Sequence, residues 1–231
     1  MRFKNIFLVT ICTVSLLTAC NSESQQTNLS VTEFEKAIAD STIQLLDVRT
    51  AGEYAGGHLK NALLADWNNA EEFKTRVQAL DKYKRVYTYC LSGGRSNAAT
   101  QWLNQNSYTA FNLSGGILAW KEAGKPLEQL EMVKQISLNE YIAQIPTDKT
   151  VLVDFSAVWC PPCRLMTPVI DSLVNTNGHQ FTLIKIDGGQ QTDICKLLKV
   201  DAFPTFIIYK QGKEIWRKEG LANAKDFTSN F

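Results

Sequence analysis

Two closely spaced cysteines, Cys160 and Cys163, are the residues of this chain best suited to chemistry. They follow an apolar run at 151–155 and precede a helix-like segment at 164–174, so a strand delivers Cys160 to the start of a helix. Unpaired N–H groups and the helix dipole favour negative charge there, which lowers the pKa of a thiol. Cys163 lies about one helical turn further on, close enough to form a disulfide with Cys160. The pair therefore predicts a reversible two-electron switch. Half of a zinc site is the alternative, but no second Cys-x-x-Cys or histidine pair follows at ligand spacing, and we expect no metal.

A second candidate site surrounds Cys90, which follows an alternating strand pattern at 85–89 and precedes a glycine-rich turn. Consecutive N–H groups in such a loop can point at one centre and hold an anion. A thiolate on Cys90, or a persulfide formed on it, would be stabilised by this cradle. The residues predicted to form it are Leu91, Ser92, Gly93, Gly94 and Arg95. Arg95 also adds a permanent positive charge and begins the next helix. The alternative is an inert, buried cysteine at the end of a strand.

The elements that position these cysteines alternate between strand and helix, which favours an α/β fold. Around Cys90 we predict helices at 31–39, 70–80 and 96–105 and strands at 43–48, 85–89 and 110–113. Around Cys160 we predict helices at 138–145, 160–174, 192–198 and 222–231, strands at 151–156 and 181–186, and a hairpin of strands 206–209 and 214–218. Ser30 with Glu33 and Ser137 with Glu140 form capping-box patterns that open the first helix of each half.

The first half resembles a rhodanese domain over about 29–129. The resemblance rests on the segments Asp47–Arg49, Glu53–Tyr54, Gly57–His58, Asn61–Ala62, Cys90–Ser96 and Gly115–Gly116 with Trp120. It implies that Cys90 accepts sulfane sulfur as a persulfide and that the amides of the predicted cradle hold it. Six residues from Cys90 to Arg95 favour sulfur over phosphate, since related phosphatases use a longer loop. His58 is interpreted as structural, and Asp47 with Arg49 as an internal ion pair.

The second half resembles thioredoxin over about 130–231. The matching residues are Asp154, Trp159–Cys163, Pro168 and Phe203–Thr205. The resemblance implies a parallel-sheet domain followed by a thioredoxin fold with a mixed central sheet. It also implies attack by Cys160, resolution by Cys163, and a cis Pro204 that turns the backbone of Phe203 toward a partner chain. Trp159 and a buried Asp154 of raised pKa would support the dithiol.

Lys185 is near the family's usual lysine position but offset from it, and Cys195 is either a packing residue or a third relay thiol. Pro161-Pro162 replaces the commoner Gly-Pro, so the direction of electron flow stays open.

The N-terminus is typical of a targeting segment. Basic residues precede an apolar core at 6–17, and Leu17–Cys20 resembles the lipobox of bacterial lipoproteins. The resemblance implies a signal peptide at 1–19, lipidation of Cys20, a flexible tether at 20–28 and a place in the cell envelope, facing the periplasm or the exterior. Asn21 favours the outer membrane in a Gram-negative host. A plain signal peptide with a chance cysteine is the alternative.

Three functions are compatible with these features. In the first, Cys90 takes sulfane sulfur from thiosulfate or a polysulfide, and the Cys160/Cys163 dithiol reduces it to sulfide. In the second, the thioredoxin half acts generally on envelope protein disulfides and the rhodanese half only binds. In the third, the chain senses sulfane sulfur without turnover. The first two are favoured because both sites retain their nucleophiles. A reducing direction requires a membrane-bound reductase as partner. No cofactor is expected, and the net charge of +1 gives no reason to expect nucleic acid.

Overall fold

The computed structural model describes residues 26–130 and 133–231, which form two α/β domains. The predicted signal peptide and Cys20 lie outside these residues. Within the described ranges, no helix has the length and apolar character needed to cross a bilayer, and no cluster of three potential metal ligands is found.

The first domain is built on a parallel sheet of five strands in the order β1-β5-β4-β2-β3. Its elements are β1 Asn28–Leu29, α1 Val31–Ile38, β2 Gln44–Asp47, α2 Ala51–Ala55, β3 Leu63–Leu64, α3 Ala70–Val77, β4 Arg85–Tyr89, α4 Gly94–Gln105, β5 Thr109–Leu113 and α5 Gly116–Glu122. Parallel strands joined by helices expose their carboxyl ends at one edge, and Cys90 directly follows β4 at that edge.

The second domain contains a mixed sheet in the order β7-β6-β8-β9. Its elements are α6 Leu138–Ala143, β6 Thr150–Ser156, α7 Pro161–Asn177, β7 Phe181–Asp187, α8 Thr192–Leu197, β8 Thr205–Lys210, β9 Lys213–Glu219 and α9 Ala224–Thr228. β6 and β7 run parallel, whereas β8 is antiparallel to both β6 and β9. The predicted fold class is thus confirmed in both domains.

Most predicted elements are confirmed, and both predicted capping boxes are present at Ser30 and Ser137. Among the boundaries that differ, three have a clear local reason. Asn28, which we placed in the tether, belongs to β1, because it pairs with Asn112 of β5 through both main chain and side chain. α4 begins at Gly94 rather than at 96, directly after Gly93 in the left-handed region at φ 96°. The terminal helix begins only at Ala224, where the Asn223 side chain accepts hydrogen bonds from the first turn.

The two domains pack against each other. The linker runs beside the first domain, where Glu128 and His58 exchange two main-chain hydrogen bonds of 2.8 Å. A single hydrophobic cluster then includes Tyr54 and Leu64 of the first domain together with Trp159 and Cys160 of the second. The active-site segment of the second domain is therefore part of the domain interface.

Candidate functional site

Cys90 lies at the mouth of a loop that directs hydrogen-bond donors at its sulfur. The Gly93 N–H donates to Cys90 Sγ over 3.1 Å, and the Ser96 hydroxyl lies 3.3 Å from the same atom. That hydroxyl also lies 3.2 Å from the Gly93 carbonyl, so its single hydrogen has two acceptors. The residue is only 1% exposed. A negatively charged sulfur would draw the Ser96 hydrogen to itself, since donors prefer charged acceptors.

These contacts set the pKa of the Cys90 thiol. Burial acts to raise the pKa, but hydrogen bonds from the Ser96 hydroxyl and from the N–H groups of Ser96, Gly93 and Ser92 outweigh it, and the pKa falls below its ordinary value. Ser96 belongs to the segment that carries the resemblance to a rhodanese domain, but its role at the sulfur was not predicted. Its side chain sits one turn into α4, so only the folded loop brings it to the sulfur.

The start of α5 closes the loop from behind. The Ile117 N–H donates to the Cys90 carbonyl over 2.8 Å, and the Leu118 N–H donates to the Leu91 carbonyl over 3.1 Å. Gly116 has φ 60°, and a methyl group there would lie 2.6 Å from both carbonyl oxygens. A glycine at this position lets the helix start approach closely enough to hold the loop.

Arg95 does not offer a free charge to the sulfur, in contrast to our expectation. Its guanidinium pairs with Glu53 of α2 through two contacts of 2.6 and 2.9 Å. The hydrogen bond from Arg95, stronger than the opposing effect of burial, lowers the pKa of Glu53 to about 2. Arg95 therefore connects α2 to the loop, while its positive charge still interacts electrostatically with Cys90.

The other charged residues of this domain serve its structure. Arg49 and Asp47 form the predicted buried ion pair at 2.6 Å, and Arg49 also donates to the Gly57 carbonyl. His58 stacks on Tyr54 with 3.8 Å between ring centroids, and its Nδ1 lies 3.0 Å from the Tyr54 carbonyl. These groups are buried within the fold, which supports the structural interpretation.

Cys160 and Cys163 form a disulfide at the start of α7. Cys160 is the N-cap residue of the helix, with two prolines in its first turn. The Cys163 N–H lies 3.2 Å from Cys160 Sγ, so the sulfur occupies the position that favours a thiolate. The Phe203 carbonyl oxygen lies 3.5 Å from Cys160 Sγ, and the Phe203–Pro204 bond is cis, as predicted.

Asp154 is buried in β6, and no described residue donates a hydrogen bond to its Oδ1. Burial raises the pKa of its carboxyl to about 6, although Lys185 acts in the opposite direction. Lys185 lies directly opposite Asp154 in the β6–β7 register, although its position in the sequence is offset from the family's usual one. The register brings the lysine beside the carboxyl despite a sequence spacing unlike the usual one.

Cys195 belongs to the core of the second domain. Its thiol is buried beneath the Gly188 main chain. Burial, reinforced by Asp187, raises the pKa of this thiol to about 11. A neutral, buried thiol is a poor nucleophile, which favours the packing interpretation over a third relay thiol.

Residues of the first domain contact the dithiol segment directly. The Leu64 N–H donates to the Trp159 carbonyl over 2.9 Å, and the Arg76 guanidinium lies 4.7 Å from the centroid of the Trp159 ring. Tyr54 also lies beside Trp159, at 6.2 Å between centroids. Sequence reasoning missed Leu64 and Arg76, because neither belongs to a motif and their role depends on how the domains pack.

The structure does not bring Cys90 and the dithiol together. Cys90 follows β4, whereas Trp159 lies against β3, and β2 separates these two strands. Three intervals at the usual strand spacing of ~4.8 Å place the two segments roughly 14 Å apart. Thiol exchange requires one sulfur to attack another directly. The two sites therefore do not exchange sulfur in this domain arrangement.

Comparison with known proteins assigns each half separately. A thioredoxin family model matches residues 130–231, and a rhodanese-like domain model matches residues 30–123. The chain is similar to chloroplastic thioredoxin Y of Oryza sativa subsp. japonica, with 42% identity over 78 residues, 34% of this chain and 46% of that protein. It is also similar to thioredoxin-1 of Schizosaccharomyces pombe, with 39% identity over 95 residues, 41% of this chain and 91% of that protein. The chain spans about half the length of the chloroplastic relatives.

A solved structure similar to the chain is a rhodanese-like domain protein from Staphylococcus aureus. The two share 28% identity over 46% of this chain and all of that one, with a TM-score of 0.40.

Proposed function

The chain belongs to the thioredoxin family and carries a rhodanese-like domain ahead of its thioredoxin domain, and from this we propose that it is a thiol redox enzyme that reduces sulfane sulfur. Cys90 carries the sulfur as a persulfide, and the Cys160/Cys163 dithiol supplies two electrons to it. The observation that carries the proposal is the Cys90 cradle. A buried sulfur that faces main-chain N–H groups and a hydroxyl, with its pKa lowered, is suited to nucleophilic attack on a sulfane donor and to holding the charged product.

The reaction proceeds in three steps that conserve atoms and electrons. The Cys90 thiolate attacks the outer sulfur of thiosulfate and releases sulfite, which leaves a persulfide on Cys90. After the domains part, the Cys160 thiolate attacks that outer sulfur, so the persulfide moves to Cys160 and the Cys90 thiolate is regenerated. Cys163 then attacks the Cys160 sulfur, which forms the disulfide and expels sulfide. The dithiol gives up two electrons and two protons, and the sulfane sulfur becomes hydrogen sulfide.

Each turnover leaves the disulfide that the structure contains, so an external reductant must restore the dithiol. We assign this role to a membrane-bound reductase. Asp154, buried with a raised pKa, is suited to accept a proton from the resolving thiol and to return it when the disulfide is reduced. This assignment agrees with its apolar surroundings, where a carboxyl can change its protonation near neutral pH.

Mass spectrometry of Cys90 tests the first step. We expect thiosulfate to add one sulfur atom to the Cys90 peptide of the Cys160→Ser/Cys163→Ser chain. We expect no added sulfur on the same peptide when the reduced wild-type chain is treated with thiosulfate, because its dithiol removes the sulfur. If Cys90→Ser left the thiosulfate-dependent oxidation of the Cys160/Cys163 dithiol unchanged, the proposal would be wrong.

A second candidate is a general disulfide oxidoreductase of envelope proteins, with the first domain as a binding module. The Phe203 carbonyl beside Cys160 favours this function, because an extended partner chain can hydrogen bond to main-chain groups there. A Cys163→Ala chain, which cannot resolve mixed disulfides, should then accumulate many envelope proteins on Cys160. An empty trap would argue against this function.

We also propose that Cys20 is lipidated and anchors the chain in the cell envelope, on the strength of the apolar core and small residues that precede it. Mass spectrometry of the N-terminal peptide should show an acylated Cys20. Cys20→Ser should release the chain from the membrane fraction, and a membrane-bound Cys20→Ser chain would contradict the anchor.

A further inference from the structure

The dithiol segment is almost entirely buried where the two domains meet. Cys160 is 0%, Trp159 5% and Cys163 7% exposed. A protein disulfide can react only if its sulfur approaches Cys160 within bonding distance.

The edge strand β3 covers the main chain before Cys160. The Ala65 N–H donates to Asp47 of β2, whereas the Leu64 N–H points away from the sheet and donates to the Trp159 carbonyl. Alternate N–H groups of a strand point to opposite sides, so this donor belongs to the free edge of the sheet. The second domain thus pairs with an edge that would otherwise be open.

Arg76 of α3 completes this contact. Its Nη1 donates to the Leu64 carbonyl over 3.0 Å, and its guanidinium lies over the Trp159 ring. Glu72 holds the other end of the guanidinium at 2.9 Å. Both main-chain groups of Leu64 and the face of Trp159 are therefore occupied, and Arg76 is 9% exposed at the junction.

Residues of the first domain also flank the dithiol on either side. A cavity of about 570 Å³ lies between Lys60, Leu63 and the start of α7 at Pro161 and Arg164. A smaller one of about 280 Å³ lies between α3 and the residues Ala202 and Phe203 beside the cis bond. Neither cavity is lined by Cys160 or Cys163, but each reaches a residue beside the dithiol, Pro161 or Phe203. A small molecule in either cavity therefore needs only a local opening to reach the sulfur, whereas a folded protein would have to displace the whole first domain.

We propose that the first domain is a cap on the dithiol, held in place by Arg76 and the main chain of Leu64. This cap excludes protein disulfides and restricts Cys160 to small sulfur compounds or to the sulfur of Cys90 in the same chain. The inference rests on the proposed function and names the substrate class of the same dithiol. It assigns Arg76 as a positioning residue, because Arg76 acts through the cap and not on the reacting sulfur.

Alkylation of the reduced full chain by reagents of two sizes tests the cap. Iodoacetamide and a maleimide carrying a long poly(ethylene glycol) chain are each applied to the reduced protein, and labelling of Cys160 is followed by mass spectrometry. Each rate is normalised to the rate of the same reagent on the chain unfolded in guanidinium. We expect the large reagent to be slowed about tenfold or more relative to the small one, since it reacts only after the domains part.

Arg76→Ala should reduce the ratio of the small-reagent labelling rate to the large-reagent labelling rate by about tenfold, because the variant loses one cation–π contact and one buried hydrogen bond. The ratio of turnover with a small disulfide to turnover with a protein disulfide should fall in the same variant. Lys74→Ala, a change at an exposed residue of the same helix, is the matched control and should alter neither quantity.

Hydrogen exchange of the Leu64 amide in the wild-type chain provides a readout that needs no variant. Its N–H donates to Trp159 across the interface, so it should be protected while the cap is closed. Equal normalised rates for the two reagents, or a Leu64 amide that exchanges as fast as a solvent-exposed amide, would contradict the proposed cap. Neither readout involves sulfur on Cys90, so a failure of the persulfide chemistry is distinguishable from a failure of the cap.

Discussion

At the scale of single residues, the pKa of the Cys90 thiol depends on the hydroxyl of Ser96, six positions further along the chain. Ser96 is the largest of the influences that lower the pKa of this thiol, against the opposing effect of burial. Its side chain is fully buried, so water does not replace it readily. The reactivity of Cys90 should therefore respond to the loss of one oxygen atom at Ser96.

Ser96→Ala should slow the alkylation of Cys90 at neutral pH by about five- to tenfold, as expected for the loss of one hydrogen bond to a charged group. The pH profile of alkylation, followed at the Cys90 peptide, should move to higher pH because the thiolate loses a donor. Ser92→Ala is the matched control in the same loop, since Ser92 contributes its N–H, which alanine keeps. A profile that is the same for Ser96→Ala and wild type would contradict this role.

Asp154 makes the stability of the second domain depend on pH. Burial raises its pKa from 3.8 to about 6, so the folded state retains a proton that the unfolded state has released between these values. Stability should therefore fall as the pH rises through this window, with the full penalty present above it. A shift of this size corresponds to about 3 kcal/mol at most.

Asp154→Asn, neutral at every pH, should remove this dependence. Relative to wild type, its free energy of unfolding should rise by about 2 to 3 kcal/mol between acid and neutral pH. Guanidinium unfolding at a series of pH values measures the difference. The Asp171→Asn variant, at an exposed partner of Lys185, serves as control. A constant difference between Asp154→Asn and wild type across the series would disprove the raised pKa.

At the scale of elements, the contact between α5 and the Cys90 loop depends on a glycine. Gly116→Ala places a methyl group 2.6 Å from two carbonyl oxygens in a left-handed conformation. We expect it to lower the free energy of unfolding by about 2 kcal/mol or more, since the conformation alone costs roughly 1 to 2 kcal/mol. Chemical denaturation measures the loss.

Gly94→Ala is the matched control for stability, because its methyl group meets no described atom within 4 Å. Alanine in the first turn of α4 should be neutral or stabilise by about 0.5 to 1 kcal/mol. If both variants lost the same stability, the close approach of α5 to the loop would not be the cause.

Elements with local signals could be predicted from the sequence, and elements that depend on distant pairing could not. The capping boxes of α1 and α6, the alternating pattern of β4 and the apolar run of β6 are each formed by residues that are neighbours in the sequence. β3 consists of two residues and exists because it pairs with β2. Gly115 and Gly116, which in the sequence indicate a break, form the left-handed entry to α5.

The same division holds for the candidate sites. Cys90, Cys160 and Asp154 were predicted because their types and spacing carry the signal. The hydroxyl of Ser96 and the guanidinium of Arg76 act through tertiary contacts. Arg76 lies on a helix whose sequence shows only an amphipathic pattern, and its partner Trp159 follows it by more than eighty positions. No local pattern indicates such a contact.

At the scale of the whole molecule, one chain holds two thiol sites, Cys90 and the Cys160/Cys163 pair, that are near each other but not in contact. A shared hydrophobic cluster joins the domains around Trp159 and Cys160, so the closed arrangement protects the dithiol. The sulfur transfer that we propose from Cys90 requires the domains to separate and meet again at other surfaces. The short connection between the domains keeps the two thiol sites at high effective concentration during that step.

A mixing experiment separates transfer within one chain from transfer between chains. The Cys90→Ser chain retains only the dithiol, and the Cys160→Ser/Cys163→Ser chain retains only the sulfur acceptor. At ~10 µM protein, an effective concentration in the mM range predicts that the wild-type chain oxidises its dithiol with thiosulfate about a hundredfold faster than the mixture. Both samples must open the same cap, so the ratio reports the covalent connection alone.

The wild-type rate constant should also be independent of protein concentration, whereas that of the mixture should rise in proportion to it. A mixture as fast as the wild type would mean that sulfur reaches the dithiol through solution, and that the two domains share a chain for stability or protection and not for transfer.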